Sequence, residues 1–201
     1  MKRYSIILFA ISLISTIDLK AQDKPAALIK GESATVSENL IKFEIGSPNG
    51  IGISYEKKLG HHISLYNIIG LRVFGGGGTT SQAIYGVSPW YVLTPQISVQ
   101  PRFYHNLDKR AAMDKNINYN SANYVGFTAR FYHQSFFYSN SDRIGNSPAV
   151  LDLMLSYGLQ RSFFKRLNFD LAIQPGIEFT SWQPTFFLGL NLQLGFIVFS
   201  N

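Results

Sequence analysis

From residue 188 to 198 every second side chain is large and apolar: Leu188, Leu190, Leu192, Leu194, Phe196 and Val198. Between them stand Gly189, Asn191, Gln193, Gly195 and Ile197, small or polar until the last. A period of two marks a β-strand, whose successive side chains point to opposite faces; a one-sided helix would repeat every 3.6 residues. The pattern recurs along the chain. Leu151, Leu153, Leu155, Tyr157 and Leu159 alternate with Asp152, Met154, Ser156, Gly158 and Gln160, and Leu167, Phe169, Leu171 and Ile173 alternate with Asn168, Asp170, Ala172 and Gln174. Val125, Phe127, Ala129 and Phe131 oppose Gly126, Thr128, Arg130 and Tyr132, and Ile97, Val99 and Phe103 oppose Ser98, Gln100, Arg102 and Tyr104. Nearer the start, Ile41, Phe43 and Ile45 oppose Lys42, Glu44 and Gly46, and Asn49-Gly50 is a hairpin signal before Ile51, Ile53 and Tyr55. Eight strands are predicted, at residues 39–46, 50–58, 61–73, 89–105, 122–137, 149–161, 166–178 and 185–199.

Composition decides which face is inside. Charged residues make up 15 % of the chain and aromatics 14 %, whereas a soluble domain carries about 25 % charge. The polar face is rich in Gly, Ser, Thr and Asn, with isolated charges rather than the Lys and Glu of a wetted sheet. A soluble β-sandwich or lipocalin-like barrel would turn the apolar face inward and need a more charged exterior. The pattern therefore predicts an all-β fold, an eight-stranded antiparallel transmembrane β-barrel with its apolar face outward. The even strand count and the strand lengths suit a closed barrel crossing a bilayer at a tilt. A lumen this narrow is just wide enough for side chains. Lys42, Arg102 and Arg130 are expected there, neutralised by Glu44, Glu56, Asp152 and Asp170, since unpaired buried charge is prohibitive. Aromatics gather near strand ends: Tyr85, Trp90, Tyr91, Phe136, Phe137, Tyr138, Phe179, Trp182, Phe186 and Phe187 at one side, Phe163, Phe164 and Phe199 at the other. Such clustering fits interfacial girdles.

The first residues read as an export signal. Lys2 and Arg3 precede an uncharged stretch from Tyr4 to Ile17, and Asp18 to Gln22 form a polar exit with Ala21 at the cleavage point. The stretch is too short for a spanning helix, and no other apolar run reaches that length. The organisation expected is a cleaved signal peptide at 1–21, an N-terminal periplasmic segment at 22–38 and an outer-membrane barrel at 39–201. Removing the leader's three basic residues and one acid takes the net charge from +6 to +4. That mild charge contains no Lys/Arg run and gives no reason to expect a nucleic-acid partner. Cysteine is absent, which excludes disulfides, a thiol site and a lipidated cysteine.

Three features fit the barrel poorly. Asn67 falls on the lipid-side face. Pro101 and Pro175 lie inside strands, where each removes a ladder donor and calls for a bulge or a local break. The link at 106–121 is longer than a periplasmic turn usually is.

Little in the chain points to catalysis. Gly75–Gly78 followed by Thr79-Thr80 lacks the Gly-Lys-Ser/Thr ending of a phosphate loop and reads as a surface loop. His61-His62 lacks a third ligand and reads as turn chemistry at the membrane rim, so no metal or other cofactor is expected. His133 and Ser135 lie two apart on one strand face, and His133-Gln134-Ser135 resembles the His-x-Ser of outer-membrane lipid A deacylase barrels. Those enzymes add a nearby acid. Here no Glu follows until Glu178, and Asp152 is the closest acid on the adjacent strand. A lipid-modifying hydrolase is one alternative function, and a narrow channel through a hydrated lumen is another.

Pro101-Arg102-Phe103-Tyr104-His105-Asn106-Leu107-Asp108-Lys109-Arg110, then Asn120-Ser121-Ala122-Asn123-Tyr124, resembles a pattern of Arg-aromatic-Tyr-x-Asn-Leu, a basic pair and Ser-x-Asn-aromatic. That pattern belongs to small, functionally uncharacterised outer-membrane β-barrels of Gram-negative bacteria. Tyr157-Gly158-Leu159-Gln160-Arg161 is similar to their Gly-x-x-Arg. The last strand, with Gln193, Gly195 and Phe199, resembles the signal read by the barrel-assembly machinery, although Ser200-Asn201 follow the final aromatic. The resemblance implies the barrel and its address, and brings no catalytic residues. The expected protein is a monomeric outer-membrane barrel with a structural or surface-interaction role, in contact with outer-membrane lipids and lipopolysaccharide.

Overall fold

The computed structural model describes residues 33–76, 90–133, 138–139, 149–181 and 183–201. Its strands are β1 (Asn39–Ser47), β2 (Gly50–Lys58), β3 (Ile63–Gly76), β4 (Trp90–Phe103), β5 (Asn123–Tyr132), β6 (Tyr138–Ser139), β7 (Val150–Phe163), β8 (Leu167–Thr180) and β9 (Gln183–Ser200). A short helix, α1 (Leu107–Ala112), and a 3-10 turn (Asn118–Asn120) lie between β4 and β5. Every strand pairing is antiparallel, in the order β3-β2-β1-β9-β8-β7-β5-β4-β6, and β3 also pairs with β4. The pairings β1–β9 and β3–β4 close the ring. The two residues of β6 take up the partnership with β4 at Leu93 and Val92, beyond the Gln96–Tyr132 pair that ends the β4–β5 ladder. They prolong the β5 wall, so the barrel has eight strands.

The faces divide as the alternation requires. Phe43, Ile45, Ile53, Ile69, Ile97, Phe127, Leu155 and Ile173 stand outward and exposed, while Lys42, Glu44, Ser54, Glu56, Gln100, Arg102, Asp170 and Gln193 are buried inside. This is the reverse of a soluble barrel and the arrangement of one built for lipid. The architecture is the predicted one: all-β, eight-stranded, antiparallel and closed, with its apolar face outward. Among the described residues no helix is long and apolar enough to cross a membrane.

The strand ends depart from the expected positions by a few residues. β3 continues to Gly76, where glycines show no alternation and only the pairing Gly76–Trp90 reveals the strand. β5 stops at Tyr132, short of the predicted 137. Between β1 and β2 the chain turns at 48–49 into Gly50, whose φ of +66° lies in the left-handed region that glycine enters without strain.

The three awkward residues are each accommodated. Asn67 does lie on the outer side, half-buried, and its amide donates to the backbone carbonyls of Tyr55 and Leu65 at 3.4 Å. At Pro101 the β4–β5 ladder breaks between Val99–Ala129 and Arg102–Gly126 without losing register. At Pro175 the β7–β8 ladder breaks between Met154–Gly176 and Tyr157–Ile173, again in register. Each proline keeps its pairing on the other side, with Leu65 and Leu188 respectively. The irregularity in register falls instead on the β1–β9 seam, between Ile41 and Lys42.

The long link at 106–121 is folded. It carries α1 and the 3-10 turn across one end of the barrel, where residues 33–38 also lie. Several expectations concern residues outside the described ones: the signal peptide at 1–21, most of the segment at 22–38, Gly77, Gly78, Thr79, Thr80, Tyr85, Gln134, Ser135, Phe136, Phe137 and Trp182.

Candidate functional site

The inward faces of all eight strands meet in one polar lattice. Four of its carboxylates each receive a tyrosine hydroxyl: Tyr66 donates to Glu44, Tyr104 to Glu56 at 2.6 Å, Tyr124 to Asp170 at 2.8 Å and Tyr132 to Glu178 at 3.0 Å. The cations sit between these pairs. Lys42 Nζ lies 2.9 Å from Glu44. Arg102 lies 2.9 Å from Asp170, donates to Gln100 and Gln160 at 2.7 Å each, and stacks over the rings of Tyr66 and Tyr124 at 3.9 and 4.3 Å. Such planar cation–π stacking favours arginine over lysine.

Toward the opposite end the ion pairs loosen. Arg130 approaches Asp152 at 3.4 Å and Arg72 approaches it at 3.8 Å, and Arg72 lies over the Tyr132 ring at 4.5 Å. Thr128, Ser156 and Gln174 bond to one another through hydroxyl and amide contacts of 2.9–3.4 Å, and Gln174 accepts from Arg130 at 3.4 Å. Beside the β1–β2 turn, Gln96 donates to the backbone and side-chain oxygens of Asn49 at 3.0 and 3.1 Å, which ties the hairpin tip to β4.

One end is capped. Asp108 accepts the Ala34 amide at 2.9 Å and lies 3.2 Å from His62 Nε2, which also meets the Ala34 carbonyl at 3.1 Å. Val36 donates to the His61 carbonyl and Ser37 to Asn120 Oδ1. Beneath this strap Ala34, Val36, Leu107 and Ala122 pack with Tyr104, Tyr124 and Ala172 into a small apolar core. Gln160 joins cap to lumen, since it accepts from Arg102 and donates to the Tyr119 carbonyl at 2.8 Å.

All seven residues expected in the lumen network are buried there: Lys42, Glu44, Glu56, Arg102, Arg130, Asp152 and Asp170. Glu56 is bonded to the hydroxyls of Tyr104 and Ser64 rather than to a cation. Sequence reasoning left out Arg72, Glu178 and the four tyrosines, although Tyr66, Tyr104, Tyr124 and Tyr132 all share the inward parity of their strands. Gln193 and Gly195, read as assembly residues, also have places inside. Gly195 faces the Lys42–Glu44 pair, and a Cβ there would make ordinary contact with Glu44 Cγ and Lys42 Cδ at 3.4–3.5 Å. Phe199 is buried and pairs with Ile41 beside the seam irregularity. His133 is exposed just past β5, and Asp152 is turned into the lumen. His61 and His62 serve the cap; among the described residues no group of three or more His, Cys, Asp or Glu side chains is placed to hold a metal.

The lattice can fix the shape of the wall and fill its bore. Comparison with known protein families, with characterised proteins and with solved structures finds no match.

Proposed function

We propose that this chain is an integral outer-membrane barrel of Gram-negative type, a monomer that is inserted by the barrel-assembly machinery and has a structural or surface-interaction role. The observation that carries this reading is the combination of an apolar exterior with a lumen filled by paired charges and hydroxyls. A filled bore closed at one end by the strap and link favours a rigid anchor over a channel. Catalysis is not part of the reading, because Asp152, the acid nearest His133 in sequence pairing, is engaged by Arg130 inside the wall. The small uncharacterised outer-membrane barrels that the sequence resembles are the family to which we assign it, with lipids and lipopolysaccharide around its belt.

Fractionation and planar-bilayer recording test this directly. The chain is expected in the outer-membrane fraction, with heat-modifiable migration and no unitary conductance. Recovery as a soluble periplasmic protein would refute the membrane assignment, and stable single-channel steps would replace the anchor with a pore.

A further inference from the structure

The capped end carries a lopsided charge. The link between β4 and β5 contributes Lys109, Arg110 and Lys115, the adjoining end of β7 contributes Arg161, and the β7–β8 turn contributes Lys165 and Arg166. The acids nearby in the link are Asp108, already committed to Ala34 and His62, and Asp114. Asn116 ties the link to the end of β7 by donating to the Ser162 carbonyl at 2.8 Å. Arg110 donates to the Asn116 carbonyl at 2.8 Å, and Arg161 donates to the Gln160 carbonyl and to Asn123 Oδ1 at 2.7 and 2.6 Å; the two guanidiniums lie close enough for their charges to repel. All of these acceptors are neutral, so the cluster keeps its positive charge and suits an anion.

The turn supplies a second, independent observation. Phe164 and Lys165 both have positive φ, 47° and 63°, where Asn-Gly would be unstrained and a bulky side chain is strained. The strained residue is also the most exposed aromatic here: Phe164 is 84 % accessible, with its ring edge-on to Phe163 at 5.6 Å. An apolar ring projecting beside two cations, at the foot of an apolar wall, is the layout of an interfacial lipid anchor.

We infer that this rim binds the anionic headgroups of phospholipids in the leaflet at the capped end, with Phe164 entering the acyl region and Lys165, Arg166 and the Arg110–Arg161 pair meeting phosphates. The inference rests on the membrane reading above and adds a lipid class to it. The experiment is lipid retention by mass spectrometry, after exchange of the purified barrel in an equimolar phosphatidylglycerol–phosphatidylcholine mixture. The native chain should retain phosphatidylglycerol over phosphatidylcholine by roughly fivefold to tenfold, and Lys165→Gln with Arg166→Gln should bring the ratio near one. Phe164→Asn with Lys165→Gly relieves the turn, so this variant should stay folded and heat-modifiable while the preference falls. Parity in the native chain, or full preference in the relieved-turn variant, overturns the inference alone. Displacement of phosphatidylglycerol by soluble peptidoglycan fragments would reassign the rim to the cell wall and also overturn it. Failure to form the heat-modifiable species in either lipid overturns the membrane reading itself.

Discussion

Arg102 and Asp170 meet at 2.9 Å across the lumen, from β4 and β8, with both side chains almost fully buried. β4 and β8 are not neighbours in the wall, so the pair braces the barrel through its interior. Arg102→Met removes the charge and keeps most of the volume, which leaves Asp170 without its cation. Loss of one partner of a buried pair costs about 3–5 kcal/mol. The expected result is a marked fall in the urea midpoint of the folded band in detergent or vesicles, with Arg102→Lys intermediate because it cannot stack on Tyr66 and Tyr124 as a plane.

The wall should be as intolerant of charge outside as it is dependent on charge inside. Phe127 faces outward near the middle of β5. Phe127→Lys is expected to weaken folding into vesicles by about 2–4 kcal/mol. On a soluble barrel the same change would be close to neutral, so a null result counts against a lipid-facing belt.

Gly158 marks a point of contact rather than a turn. A Cβ there would lie 2.5 Å from Tyr124 Cζ and 2.8 Å from the Ala172 methyl. Tyr124 is buried and bound to Asp170, so it cannot swing away cheaply. Gly158→Ala should destabilise by about 1–3 kcal/mol. Gly60→Ala is the control, since its Cβ would make ordinary contact with the Ile63 side chain at 3.7 Å. Equal midpoints for the two variants would contradict the crowding at Gly158.

The cap should come loose without the barrel. Asp108→Ala deletes the acceptor for the Ala34 amide and the partner of His62, a loss of about 1–2 kcal/mol. Hydrogen exchange at Ala34 and Val36 should accelerate several-fold while the β8 and β9 amides keep their protection. Global loss of protection would mean that strap and wall fold as one unit.

The wall was legible in the sequence because its information is local: Leu188 to Val198 declare a strand and its outer face within eleven positions of one another. The lumen charges followed from the same parity. Arg72 and Glu178 were missed because they lie next to or at the predicted strand limits at 73 and 178, where glycines and polar residues blur the alternation. The tyrosines were visible as aromatics, and ring area alone suggests an apolar role; only the register shows their hydroxyls aimed at carboxylates. The cap was the least legible part. Ala34 and Asp108 are 74 residues apart, and neither the strap nor the link has a periodicity that could name the other as its partner.

The seam between β1 and β9 has a consequence in time. It joins the first strand to the last, and the Asn39 and Asn201 backbones exchange hydrogen bonds at 3.0 Å across it. Until residue 200 is in place, any partly built wall is an open sheet with two bare edges, and closing the ring requires contacts of nearly maximal sequence separation. The chain must therefore be kept unaggregated until β9 is in place, since the structure that protects it cannot exist before then.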